Sequence, residues 1–187
     1  MIPVITIDGP SGAGKGTIAQ MLALELNWNI LDSGALYRTL AYFMKENSIT
    51  LNNFEDNRDL IRSKFNVLFD AGRTGEPVKV LFEDKDITSI VRTEEMAKLT
   101  SNLAAEPIIR EFIKPCQRDF MVSPGLIADG RDMGTVIFSD AKHKIFLTAS
   151  LEERAKRRQT QLKRQGLEVN MRSLLQELEE RDKKDME

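Results

Sequence analysis

The sequence predicts an α/β fold, an open parallel sheet with helices on both faces and an antiparallel β-hairpin subdomain inserted midway. Three observations lead there. An apolar run, Val4-Ile5-Thr6-Ile7, ends in a glycine-rich turn that passes straight into helical periodicity. Short apolar runs at 28–31, 126–129 and 144–148 are each followed by a polar turn or a helix start, the alternation of a parallel sheet. Between Phe65 and Phe82 the pattern alternates residue by residue instead, as antiparallel strands do.

The first strand and its turn read VITIDGPSGAGKGT. Glycines at 9, 12 and 14 let the backbone curl so that successive N–H groups face an anion. The helix that follows points its positive dipole end at the same place. Lys15 can reach β- and γ-phosphates, and a nearby hydroxyl can ligate Mg²⁺. That hydroxyl is displaced by one position: Gly16 follows the lysine, and Thr17 comes next. The form GxxGxGKGT fits nucleoside monophosphate kinases better than GTPases.

Composition narrows the classes. The chain has 187 residues, enough for one domain with a small insertion. Charges nearly balance at 27 basic and 29 acidic, with no global pull toward nucleic acid or membrane. No apolar run approaches a membrane span, and Met1 leads directly into a strand, so a cytoplasmic chain without a leader is expected. The single cysteine, Cys116, and single histidine, His143, argue against a disulfide, a cysteine metal cluster or a Ser-His triad.

Taken in order, Ile18, Met21, Leu22 and Leu26 predict a helix packed on the first strand through those side chains. The second strand, 28–31, ends at Asp32-Ser33-Gly34, where ligands bind in open α/β sheets; Ser33 alternatively caps the next helix. Leu51-Asn52-Asn53-Phe54 reads as loop and 57–63 as a short helix. Phe65, Val67 and Phe69 face Val78, Val80 and Phe82 across a turn, with a third short piece at Asp86-Ile87. Thr93 followed by Glu94-Glu95 starts a helix whose buried face is Met96, Leu99 and Leu103. Pro107 opens another, which Pro115 is expected to kink or end near Lys114.

The run GLIADGRDMG at 125–134 is a buried strand closing in Asp129, with Arg131 and Asp132 on the loop beyond. An aspartate at such a strand end, beside a phosphate loop, orients Mg²⁺ or its waters. After the fourth strand, Arg154, Lys156, Arg157, Arg158, Lys163 and Arg164 form a basic helix that is either a solvated face or a lid over phosphates. Asn170 caps a last helix carrying Leu174, Leu175 and Leu178. These parts suit phosphoryl transfer, which rests on positioning and charge neutralisation. A phosphate monoester is already ionised at pH 7, and no isolated base stands out, so a phosphate acceptor is favoured, held by Arg38 and Arg131.

The segments ITIDGPSGAGKGT, LDSGALYR, IVRTEEMA, LIADGRDMGTVIF, KIFLTAS and ERAKRR resemble the bacterial cytidylate kinase family, (d)CMP kinases of the nucleoside monophosphate kinase fold among P-loop NTPases. The resemblance covers nearly the whole chain. It implies a single domain over 1–187, with a CMP-binding insertion at about 34–103 and a lid at 151–168. It implies transfer of the γ-phosphoryl group of ATP to CMP or dCMP with Mg²⁺, by a monomeric cytoplasmic enzyme. Gly9, Pro10, Ser11, Gly12, Ala13, Gly14, Lys15, Gly16 and Thr17 then bind ATP, and Thr17 and Asp129 serve the metal. Ser33, Arg38 and Arg131 hold the CMP phosphate, and Ser101, Arg110 and Asp132 read cytosine, with Asp132 accepting from the 4-amino group. Arg181 and Asp185 lie near the sugar, while Arg157 and Arg158 are the lid's phosphate or adenine contacts and join Lys15 and Arg131 in catalysis. Parallel strand order 2-3-1-4 is expected, and the family's fifth strand is absent from this chain. The alternatives are another small-molecule P-loop kinase, such as adenylate or shikimate kinase, and a truncated fold that binds nucleotide without turnover. A GTPase-like switch lacks its Asn-Lys-x-Asp motif here.

Overall fold

The computed structural model describes residues 2–164, 166 and 170–186, the side chains of 164 and 184–186 excepted. Strand β1 (Val4–Asp8) lies inside a parallel sheet, between β6 (Leu126–Gly130) and β7 (His143–Phe146). Strand β2 (Asn29–Asp32) pairs with β6 and forms the far edge, so the parallel strands follow the expected 2-3-1-4 order. The register sets Asp32 opposite Asp129, and Asp8 opposite Gly130, so three aspartates sit together at the carboxyl ends of neighbouring strands. That edge is where an open α/β sheet binds ligands.

Alternate residues of each strand face opposite layers. Ile7, Ile30 and Ile127 pack with Ala19 and Ala23 of α1 (Lys15–Leu26), while Val4, Leu31, Leu126 and Ala128 belong to the larger core on the other face. The face of α1 differs from the expected one. Ile18, Met21 and Leu26 are exposed, and Ala19, Gln20 and Ala23 are buried. A short glycine loop ties the start of α1 to the end of β1, so the helix axis runs close to the sheet and small side chains fit beneath it.

The larger core joins the inserted segment to the main body. It draws on α2 (Ser33–Glu46), α3 (Arg58–Lys64), the antiparallel strands β3 (Val67–Asp70) and β4 (Lys79–Phe82), then α4 (Thr88–Val91), α5 (Glu94–Leu103) and α6 (Pro107–Arg118), while the short third strand β5 (Lys85–Asp86) is exposed. The hairpin register pairs Val67 with Phe82 and Phe69 with Val80, as the alternation required. Phe82 meets the rings of Phe43 and Tyr42 edge-on, at centroid distances of 5.8 and 6.5 Å. The stretch expected to be loop at 51–54 is a single 3₁₀ turn leading into Phe54, which is fully buried and meets Phe112 edge-on at 5.5 Å.

Pro115 does not end α6, which continues to Arg118. A proline inside a helix costs about 3 kcal/mol. Burial of Ile109, Phe112 and Ile113 offsets that, at about 1.5–3 kcal/mol for each. Beyond β7, α7 (Leu151–Arg164) and α8 (Met171–Met186) pack against each other, and Ala155, Leu162, Leu174 and Leu178 are buried. Ser150 caps α7 through a reciprocal pair with Glu153, and Asn170 caps α8 by accepting from the Arg172 N–H at 2.8 Å. The last residues of the expected lid, 165 and 167–168, lie outside the described residues, as does the side chain of Asp185. Among the described residues, no helix is long and apolar enough to cross a membrane.

Candidate active site

The phosphate loop is built on conformations that only glycine adopts freely. Gly9 has φ +146°, and a Cβ there would lie 2.0 Å from the Leu147 carbonyl oxygen. Gly14, the N-cap of α1, has φ +99° and delivers the chain into the helix. Lys15 Nζ lies across the loop, donating to the Pro10 carbonyl at 3.0 Å, and stands 3.9 Å from Asp129 Oδ1. Burial lowers the Lys15 pKa, with Asp129 opposing; burial pushes the Asp129 carboxyl up to about 7, with Lys15 opposing. Gly16 leaves room beside that carboxylate, since a Cβ there would be 3.4 Å from Asp129 Oδ2. Thr17 is exposed in the first turn of α1.

Across from the loop, arginines from four elements converge: Arg38 on α2, Arg131 after β6, Arg158 on α7 and Arg181 on α8. Burial takes the guanidinium of Arg131 down to about 10, and Arg181 adds repulsion. Arg38 also falls to about 10 through burial; Asp32 opposes this, whereas Arg181 and Arg92 reinforce it. Arg158 and Arg181 are lowered by burial and by their arginine neighbours. Such a concentration of cations is a place for an anion.

Asp32 is the partner of this cluster and, in place of Ser33, the cap of α2. Its Oδ1 accepts from the Ala35 N–H at 2.9 Å, and its Oδ2 pairs with Arg92 at 3.1 Å. Ser33 is buried, with its hydroxyl oxygen accepting from Gln117 Nε2 at 2.8 Å. Arg110 donates to Asp132 Oδ2 at 2.8 Å. Burial raises Asp132, eased by Arg110, and raises the neighbouring Tyr37 hydroxyl to about 12. Ser101 is half-buried on α5. The loop carrying Arg131 and Asp132 is pinned by Asp8, whose carboxylate accepts from the N–H groups of Met133 and Gly134, each at 2.8 Å.

The basic helix α7 crosses the phosphate loop. Arg157 donates to the Ala13 carbonyl at 2.9 Å, and Arg158 pairs with Glu94 at the start of α5. Arg154 donates to the Ser11 carbonyl and to Asp182. The sequence patterns assigned no site role to Asp8, Gln20, Arg92, Gln117 or Asp182, and marked Asp32 only as a strand end and Glu94 only as a helix start.

The donor set suits Mg²⁺, which takes one or two protein carboxylates and fills its other positions with water and phosphate oxygens. Asp129 offers that carboxylate beside Gly16, and Thr17 offers a hydroxyl.

The family model for cytidylate kinase matches residues 5–187. The cytidylate kinase of Stutzerimonas stutzeri strain A1501 is 50% identical over 184 residues, covering 98% of this chain and 80% of its own length. That of Shewanella sp. strain W3-18-1 has the same identity and coverage. Among solved structures, TT1252 from Thermus thermophilus aligns with 93% of this chain and 77% of its own, at 19% identity and a TM-score of 0.44. On the match of sequence along nearly its whole length, the chain belongs to the cytidylate kinase family.

Proposed function

We propose that this chain transfers the γ-phosphoryl group of ATP to CMP or dCMP, giving ADP and the nucleoside diphosphate. The observation that carries the reading is the half-buried arginine cluster facing the Lys15 loop, which balances its charge when a phosphate enters. Residues 9–17, through every backbone N–H except at Pro10, which has none, and the Lys15 ammonium hold the ATP phosphates. Ser33, Arg38 and Arg131 hold the acceptor phosphate in line with them. An oxygen of that phosphate, ionised without help from a base, bonds to the γ-phosphorus as the β–γ bridging bond breaks, and ADP leaves with the electron pair. Arg157 and Arg158 offset the spreading charge. Thr17 and Asp129 would hold Mg²⁺, which would supply further neutralisation of phosphate charge.

Asp132, oriented by Arg110, accepts from the cytosine 4-amino group, with Ser101 at the same edge. Arg181 and Asp185 serve the sugar side. Residues 34–103 act as the acceptor subdomain and 151–168 as the lid, in a monomeric cytoplasmic enzyme within a single domain over 1–187. The test is ADP release with ATP and Mg²⁺ against CMP, dCMP, UMP and AMP. Turnover is expected with CMP and dCMP well above the other two. A folded protein that turns over none of the four, or prefers AMP, overturns the reading.

A further inference from the structure

We propose that Arg154 and Asp182 are a positioning pair that couples the donor phosphate loop to the acceptor arginine Arg181; the inference rests on the kinase reading above. Arg154 sits on the basic helix, yet it is only 4% exposed, so it does not act as a phosphate-gathering lid residue. Its two terminal nitrogens donate to the two carboxylate oxygens of Asp182 at 2.9 and 2.5 Å, a bidentate fork. The same guanidinium donates to the Ser11 carbonyl of the phosphate loop at 3.1 Å. The loop also packs on its stem, since a Cβ on Gly12 would lie 3.3 Å from Arg154 Cβ. One side chain therefore ties together the donor loop, α7 and α8.

What it fixes on α8 is rotation. Asp182 directly follows Arg181, and adjacent residues on a helix point about 100° apart. Holding Asp182 on Arg154 thus sets the direction of Arg181, which lies among Arg131 and Arg158. A phosphate in the loop orders the Ser11 peptide, and through it Arg154, Asp182 and Arg181. By linkage, donor and acceptor then strengthen each other's binding by the same factor. Neither Arg154 nor Asp182 needs to touch a nucleotide for this.

The experiment measures the dissociation constant of CMP by calorimetry, with and without a saturating non-hydrolysable ATP analogue. The wild-type protein should bind CMP roughly 5- to 150-fold more tightly with the analogue, the usual range for coupled sites. Asp182→Asn keeps the shape but loses the charge, and should bring that factor close to 1 and raise KM for CMP more than it lowers kcat. Removing one partner of a buried pair can unfold a protein. The double variant Arg154→Met/Asp182→Leu leaves no lone buried charge and should also show a factor near 1. A purely structural role lowers the melting temperature but leaves the factor of the folded protein unchanged. A wild-type factor of 1, or a wild-type factor retained in either folded variant, overturns the proposal. Failure of the wild-type protein to turn over CMP overturns the kinase reading instead, so the two are read separately.

Discussion

On the proposed function, Asp132 concentrates the specificity of the site in one carboxylate. Its side chain is 26% exposed and pairs with the half-exposed Arg110, so losing it removes an acceptor and the ion partner of that guanidinium. Asp132→Ala should lower kcat/KM for CMP by about 30- to 150-fold, from roughly 2–3 kcal/mol for an unmatched charged hydrogen bond. UMP presents a carbonyl where CMP has its amino group, so its rate should fall much less and the CMP/UMP ratio should shrink. An unchanged ratio in the coupled ADP assay would remove Asp132 from base reading. The same residue sets a pH dependence. Burial raises its pKa, Asp8 adds to the rise, and Arg110 and Arg131 oppose it. The accepting, ionised form is therefore lost as pH falls, at a higher pH than for an ordinary exposed carboxylate. On acidification, kcat/KM for CMP should decline earlier in the wild-type protein than in Asp132→Asn, whose profile lacks that step.

At the scale of elements, the joints between donor and acceptor sides are made by single polar side chains. Gln20, buried on α1, donates from its amide nitrogen to the carbonyls of Ala71, Glu76 and Arg73 at 2.6, 2.8 and 3.2 Å. These carbonyls belong to the turn between β3 and β4, so one amide docks the inserted hairpin on the helix that follows the phosphate loop. Gln20→Leu should cost about 1–3 kcal/mol through unmet carbonyls. At roughly 2–4 °C per kcal/mol for a chain this size, melting should drop by several degrees. Limited proteolysis should show faster cutting near residues 71–77; wild-type resistance there would rule out the docking role. Such joints explain what was legible beforehand. Strand order and the importance of Arg110 and Asp132 came with the family resemblance, whereas the hairpin and the phosphate loop follow from local patterns, where chemistry and spacing lie within a few residues. The buried face of α1 did not, because periodicity shows that a helix has faces but not that a tight loop demands Ala19 and Ala23 beneath it. Gln20 and Asp182 were illegible for another reason: each finds its partner far along the chain, and a glutamine or aspartate on a helix looks like any solvated residue. Pro115 misled because its local cost is real but smaller than the burial around it.

At the scale of the whole molecule, the fold gathers half-buried cations from four elements around one site, and that arrangement costs stability when no anion is bound. Arg38 and Arg131 are both pushed down to about 10, chiefly by burial, with Arg181 repelling each. Because the folded-state pKa is lowered, each charged guanidinium opposes folding at neutral pH, and removing one should relieve that opposition. Arg38→Met keeps much of the stem's packing while deleting the charge. It should raise the melting temperature of the ligand-free protein by a few degrees and lower kcat/KM for CMP by at least about 10²-fold. A ligand that binds only the folded state adds about 2.7 kcal/mol at a hundred times its Kd. CMP should therefore raise wild-type melting by roughly 5–10 °C, and Arg38→Met at the same CMP concentration by much less. Thermal scans of the two proteins with and without CMP separate the possibilities. If Arg38→Met melts lower than wild type without ligand, the Asp32–Arg38 attraction outweighs the burial and repulsion. If CMP shifts both proteins equally, Arg38 does not hold the acceptor. The combination expected here, a more stable empty protein and a blunted response to CMP, requires a cluster that is unfavourable until a phosphate completes it.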